Sequence, residues 1–83
     1  MTKICKLNDI TKYENAVLYK LENKGDIRGR LQDLGLIEGT QIKFVQKSPL
    51  GDPTAYEIRG AIIALRSDDA QKIFVTVGSD QNG

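Results

Sequence analysis

Turn-forming residues divide this 83-residue chain into short segments, and most of those segments are rich in β-forming side chains. Gly25, Gly35, Gly60 and the loop at residues 49–53 mark the main breaks. Between the breaks, apolar residues mostly recur with the period of two that is typical of strands, and only one segment shows the helical period. A chain of this length supports one compact domain. We therefore expect a mainly β domain that contains a single short α-helix.

The breaks and the periodicity predict the order of the elements. A short N-terminal helical turn at residues 7–10 is expected to lay Ile4, Leu7 and Ile10 on the body of the domain. Ser67 is expected to cap a later helical turn. Strands are predicted at residues 13–22, 40–47, 55–59, 61–65 and 73–77, in a domain at 1–77 that is followed by a disordered tail at 78–83.

The helical segment lies between the first two of these strands. Asp26 is a suitable N-cap, and Leu31 and Leu34 recur on one helical face. Gly35 follows at the position where a left-handed residue most often ends a helix. The spacing predicts a Schellman motif, in which Leu36 packs back against Leu31.

Five short strands with tight turns predict a small barrel, because closure removes exposed strand edges. The first strand carries apolar residues on both faces, which indicates that it is covered twice. Val17, Tyr19 and Leu21 are expected on one face, and Ala16 and Leu18 on the other.

The charge balance disfavours several classes of function. Twelve Lys and Arg against 11 Asp and Glu give a net charge of +1, which lacks the basic field that non-specific nucleic-acid binding needs. The chain has no His, so most general-base and metalloenzyme sites are excluded. Cys5 is the only cysteine, so no intramolecular disulfide can form. The longest apolar run, at residues 61–65, is too short to insert into a membrane. These features favour the cytoplasm.

The remaining reactive side chains have simpler structural explanations. Nothing in the sequence predicts a lowered pKa for Cys5. Asp68 and Asp69 suit the start of a helical turn, and Asp52 suits a turn between Gly51 and Pro53. We therefore predict no catalytic, cofactor-binding or metal-binding residues, no cofactor and no enzymatic activity.

Two turning segments that carry leucines are better candidates for function, because turns lie at the surface and an exposed leucine can anchor a partner. One is the loop at residues 49–53 and the other is the helix end at residues 34–36. The predicted partner-binding residues are Leu34, Gly35, Leu36, Pro49, Leu50, Gly51, Asp52 and Pro53.

The joint order and spacing of several motifs resemble the FeoA family, small cytosolic proteins of bacterial ferrous iron uptake. The motifs are R-L-Q-D-L-G-L at residues 30–36, Gly39-Thr40, P-L-G-D-P at 49–53, Ile58-Arg59-Gly60, Ala64-Leu65-Arg66 and Asp69-Ala70. The resemblance implies an SH3-like β-barrel that acts as an accessory partner, a regulator or adaptor, of the cytosolic part of the FeoB transporter.

Two other functions stay open at this point. A small β-barrel can bind nucleic acid, although the five aromatic residues are scattered here and the net charge is low. A metal-responsive sensor or chaperone is the second alternative, and the absence of His opposes it. The sequence also leaves weak self-association open.

Overall fold

The computed structural model describes residues 2–10 and 15–78. Within these residues the chain forms six strands, two short α-helices and one 3₁₀ turn at Leu7–Asp9. The elements in chain order are β1 (Thr2–Lys6), β2 (Asn15–Leu21), α1 (Asp26–Asp33), β3 (Gln41–Lys47), β4 (Thr54–Ile58), β5 (Ala61–Leu65), α2 (Ser67–Ala70) and β6 (Ile73–Gly78).

The six strands form one antiparallel sheet in the order β1-β6-β2-β3-β4-β5. The mainly β class is confirmed, but the predicted number of five strands is wrong. The missed strand is β1, whose sequence T-K-I-C-K has no apolar alternation. Strands β1 and β5 are the two edges of the sheet in the described residues, so closure into a barrel stays a prediction.

The core lies on one face of the sheet, where Leu31 of α1 and Leu7 of the 3₁₀ turn are buried with residues of the strands. Leu7 and Ile10 are buried, as the N-terminal turn predicts, whereas Ile4 is 54% exposed. The reason is the strand that the sequence analysis missed. Ile4 pairs with half-buried Thr76 on β6, while its neighbour Cys5 pairs with fully buried Val75. Ile4 therefore points away from the core.

A register shift corrects the predicted faces of β2. The period of two places Tyr19 and Leu21 on one face of the strand and Leu18 on the other. The structure instead buries Leu18 and Leu21 and leaves Tyr19 47% exposed. The pairing of β2 with β6 shifts between Leu18 and Lys20, and this irregularity moves Leu21 to the core face. Most of the predicted strand at residues 13–22 is confirmed, but residues 13 and 14 lie outside the described residues.

The N-terminal ends of both helices differ from the predictions. Gly25, with φ 72°, is the N-cap of α1, and Asp26 is the first helical residue. Arg66 is the N-cap of α2, and Ser67 is likewise inside the helix. Gly25 has no side chain to cap α1, and the Arg66 side chain forms no capping hydrogen bond. Gly78, the first residue of the predicted tail, belongs to β6, and residues 79–83 lie outside the described residues.

The predicted Schellman motif at the end of α1 is confirmed. The Leu36 amide donates to the Leu31 carbonyl at 3.0 Å, and the Gly35 amide donates to the Gln32 carbonyl at 3.0 Å. Gly35 has φ 109°, which a side chain would strain. Leu31 and Leu36 are both buried, whereas Leu34, predicted on the core face, is 41% exposed.

Candidate functional site

The loop between β3 and β4 presents one leucine almost completely to solvent. Leu50 is 93% exposed, so it does not fold over the core. Hydrogen bonds inside the loop fix its position: the Gly51 amide donates to the Ser48 carbonyl at 2.7 Å, and the Ser48 amide donates to the Pro53 carbonyl at 3.0 Å. The Leu50 amide also lies 3.3 Å from the Ser48 Oγ. The hydrogen bonds within the loop therefore hold an apolar side chain at the surface.

Asp52 attaches this loop to the start of α2. Its Oδ1 accepts a hydrogen bond of 2.8 Å from the Ser67 amide, which is the first amide of that helix. A helix start leaves such amides without intrahelical partners, so the carboxylate takes the role of the N-cap from a distant part of the chain. The sequence analysis interprets Asp52 only as a turn residue, and the structure adds this tertiary contact.

The second predicted segment, the corner at residues 34–36, is only partly available for contact. Leu34 is 41% exposed, but Leu36 is fully buried and cannot reach a partner with its side chain. Gly35 is covered by the side chain of Arg59, because a Cβ on this glycine would meet Arg59 Cδ. The carbonyl of Gly35 accepts hydrogen bonds from the Thr40 hydroxyl at 2.8 Å and from the Ile37 amide at 2.9 Å. Only Leu34 offers apolar surface here.

The structure does not bring the two predicted segments together. The corner leads into β3 at Gln41, and the loop leaves β3 after Lys47. At about 3.3 Å per residue, this strand separates the two segments by about 20 Å. They are two surfaces at opposite ends of β3, not one site.

A groove that the sequence analysis missed lies at the corner end. It has a volume of about 380 Å³ and runs between β2, α1 and the chain that follows the helix. Tyr19 and Ile37 line it and are 47% and 49% exposed. The sequence predicts Tyr19 on a covered face of this strand, but the irregularity in β2 exposes it. Ile37 follows the helix end as a single residue, so no periodicity marks it.

The described residues hold no cluster of three or more His, Cys, Asp or Glu side chains that could bind a metal ion. Burial raises the pKa of the Tyr56 hydroxyl above its usual value, and Asp9 and Asp52 raise it further against an opposing hydrogen bond with Thr54. The same hydroxyl donates to the Leu7 carbonyl at 3.4 Å. Tyr56 therefore stays protonated at neutral pH and connects β4 to the 3₁₀ turn.

No helix in residues 2–10 or 15–78 is long and apolar enough to cross a membrane. Among the described residues, the large apolar side chains exposed on turns are Leu34, Ile37 and Leu50. Such an arrangement can bind a partner through apolar contacts.

Comparison with protein families gives one match across most of the chain. The family model described as FeoA domain matches residues 5–77. A curated relative, the Fe(2+) transport protein A/Fe(2+) transporter FeoB fusion protein of Porphyromonas gingivalis, is 36% identical over 70 residues. The match covers 84% of this chain but 8% of that protein, so the chain spans less than a tenth of its relative's length.

Solved structures of FeoA proteins share the fold. The FeoA protein of Chlorobium tepidum is 29% identical, with a TM-score of 0.84 over 94% of this chain and 74% of that one. The FeoA of Stenotrophomonas maltophilia, solved with zinc and described as a unique procaryotic SH3 domain protein, is 26% identical. Its TM-score is 0.73 over 84% of this chain and 87% of that one. The SH3-like part of the fold prediction is thus supported.

Proposed function

Because the chain belongs to the FeoA domain family of ferrous iron transport, we propose that it is an accessory protein that binds the FeoB transporter from the cytosolic side. The observation that carries this proposal is the relative in which one polypeptide joins the two proteins. Covalent linkage turns an encounter between two molecules into an intramolecular one, which favours units that act in contact. The chain then acts by protein contact as a regulator or adaptor and catalyses no reaction itself.

The loop at residues 49–53 is the contact that we propose. Nearly the whole side chain of Leu50 is exposed to water, so docking of a partner would remove apolar surface from water at little conformational cost. The hydrogen bonds within the loop and the link from Asp52 to α2 keep Leu50 in place before binding. Preorganisation of this kind lowers the conformational entropy that is lost on binding.

Leu50→Ala tests the contact in a binding titration against the purified cytosolic part of FeoB. Truncation of a small anchor is expected to weaken binding by about 1 to 2 kcal/mol, which is about 5- to 30-fold. The melting temperature is expected to stay near that of the parent, because the side chain is 93% exposed. Ile4→Ala is the matched control, since Ile4 is also exposed but lies on β1 at the far edge of the sheet.

Two outcomes would contradict different parts of the proposal. If the parent chain does not bind the cytosolic part of FeoB at all, the assignment of the partner is wrong. If the parent binds and Leu50→Ala binds equally well, the loop is not the interface. The surface around Leu34 and Ile37, at the other end of β3, would then be the next one to test.

A further inference from the structure

Helix α2 is one turn long, and side chains from two distant parts of the chain bind it. A single turn is not a stable helix on its own in water, so its position depends on tertiary contacts. Asp52 Oδ1 accepts a hydrogen bond of 2.8 Å from the Ser67 amide, 15 residues along the chain. Near the other end of the helix, Asn23 Nδ2 donates to the Asp69 carbonyl at 3.1 Å, across 46 residues. Side-chain hydrogen bonds thus connect α2 both to the loop at residues 49–53 and to the chain that follows β2.

Asn23 is itself held firmly, so it can serve as a support for α2. Only 1% of the residue is exposed. Its carbonyl lies 3.4 Å from Arg28 Nη1, and the same nitrogen donates to the Leu21 carbonyl at 2.7 Å. The amide of Glu22, which precedes it, donates to the Lys72 carbonyl at 2.8 Å. Because Asn23 is buried, its side chain cannot reach a partner, and any effect of Asn23 on binding must be indirect.

The hydrogen bond from Asp52 fixes the loop at residues 49–53 against the body of the domain. The hydrogen bonds among Ser48, Gly51 and Pro53 close the loop on itself, so they determine its shape. Asp52 instead reaches another element, and it lies two residues after Leu50. Without this hydrogen bond Leu50 would sample more positions, and ordering the loop on binding would cost conformational entropy.

We propose that Asn23 and Asp52 are positioning residues for Leu50, and that both act through α2. Asn23 holds α2 at Asp69, α2 holds Asp52 at Ser67, and the loop thereby keeps Leu50 in place before a partner binds. Both residues lower the entropy that is lost on docking and need not contact the partner. This role rests on the proposed function, in which Leu50 contacts FeoB.

One substitution on α2 removes the hydrogen bond to the loop and leaves the loop sequence unchanged. Ser67→Pro removes the amide whose hydrogen bond Asp52 accepts. Ser67 is the first residue of α2, where proline is favoured. Arg66, which precedes it, is already extended at φ −74° and ψ 152°, the region that a following proline requires. Ser67→Pro is therefore expected to fold.

A second substitution removes the hydrogen bond at the other end of α2. Asn23→Leu keeps a branched side chain with the same number of heavy atoms and buries no polar group at this position. The Asp69 carbonyl still accepts the Lys72 amide at 3.1 Å, so it is not left without a donor. Asn23→Leu is therefore also expected to fold.

NMR relaxation on the full chain tests the positioning without any partner. The amide order parameters of Leu50 and Gly51 are expected to be about 0.85 in the parent, the value of rigid backbone, and to fall toward about 0.6 in both variants. Thr40→Val is the control, because it removes a hydrogen bond of 2.8 Å at the opposite end of β3. Parent-like order parameters in folded Ser67→Pro or Asn23→Leu, or an equal fall in Thr40→Val, would overturn the proposal. If one variant does not fold, the other decides.

Titration against the cytosolic part of FeoB measures the consequence for binding. Ser67→Pro and Asn23→Leu are each expected to bind about three- to tenfold more weakly, and Thr40→Val as tightly as the parent. Because both variants release the same element, the double variant is expected to bind no more weakly than Ser67→Pro alone. Parent-like affinity in both single variants, or effects that multiply in the double variant, would refute the proposal. If the parent does not bind FeoB, the proposed function fails, and the order parameters still decide whether α2 positions Leu50.

Discussion

Gly35 allows the end of α1 to be tested by a pair of alanine substitutions. Gly35→Ala places a side chain at φ 109°, where an L-residue costs about 1 to 2 kcal/mol relative to its preferred backbone regions. The new Cβ also meets the Arg59 side chain, which must move. With partial loss of the two Schellman hydrogen bonds, we expect the free energy of unfolding to fall by about 1 to 3 kcal/mol.

Gly29→Ala is the matched control, because it makes the same chemical change on the same helix. Gly29 lies inside α1, and a Cβ there meets nothing within 4 Å. Alanine is favoured over glycine in a helix interior by about 0.8 to 1 kcal/mol, so this variant is expected to be more stable than the parent. The two alanine variants should therefore differ by about 2 kcal/mol or more in the free energy of unfolding.

Urea unfolding measures this difference. A slope of about 1 kcal/mol per molar urea, typical of a small protein, converts the difference to about 2 M between the two midpoints. Repeating Gly35→Ala in an Arg59→Ala background separates the causes, since the backbone cost persists there and the side-chain clash does not. If adding Gly35→Ala leaves the stability unchanged in either the parent or the Arg59→Ala background, the explanation from positive φ is wrong.

Two further pairs of variants and one single substitution test other parts of the structure. Asp52→Ala should lower the free energy of unfolding by about 1 kcal/mol, because the hydrogen bond from the Ser67 amide is lost. Asp52→Asn keeps an acceptor oxygen and should lose much less. Equal losses of the two variants in thermal unfolding would contradict this contact. Leu36→Ala should cost about 2 to 5 kcal/mol and Leu34→Ala less than about 1 in urea unfolding, because the first is buried and the second is 41% exposed. Because the pKa of Tyr56 is raised in the folded protein, the unfolded tyrosine ionises first, and stability should fall as the pH rises above about 10. Tyr56→Phe should reduce this fall in alkaline titrations.

Much of the fold could be predicted because local patterns determined it. Strands β3 to β6 lie close to their predicted residues, since apolar alternation and turn residues agree there. Strand β1 could not be predicted in this way, because Lys3 and Lys6 flank only two adjacent apolar residues. Its position depends on pairing with β6, which is a long-range contact with no local pattern.

The candidate site was predicted less well, because exposure depends on tertiary packing. The loop leucine, Leu50, sits between two prolines, and its exposure could be anticipated from turn chemistry. The remote capping of Ser67 by Asp52 joins residues 15 positions apart, and no local pattern indicates it. Exposed Tyr19 results from the irregular pairing of β2 with β6, which a strict period of two does not predict.

Leu34 and Leu36 show why the end of a helix is difficult to assign by periodicity. The helical period places Leu34 on the core face, but α1 ends at Asp33, so Leu34 is already the C-cap. The chain then reverses at Gly35, and the Schellman motif carries Leu36 back over Leu31 into the core. Leu36 therefore occupies the core at the helix end, and Leu34 is left at the surface. The same capping motif that stabilises α1 thus creates the exposed leucine at this corner.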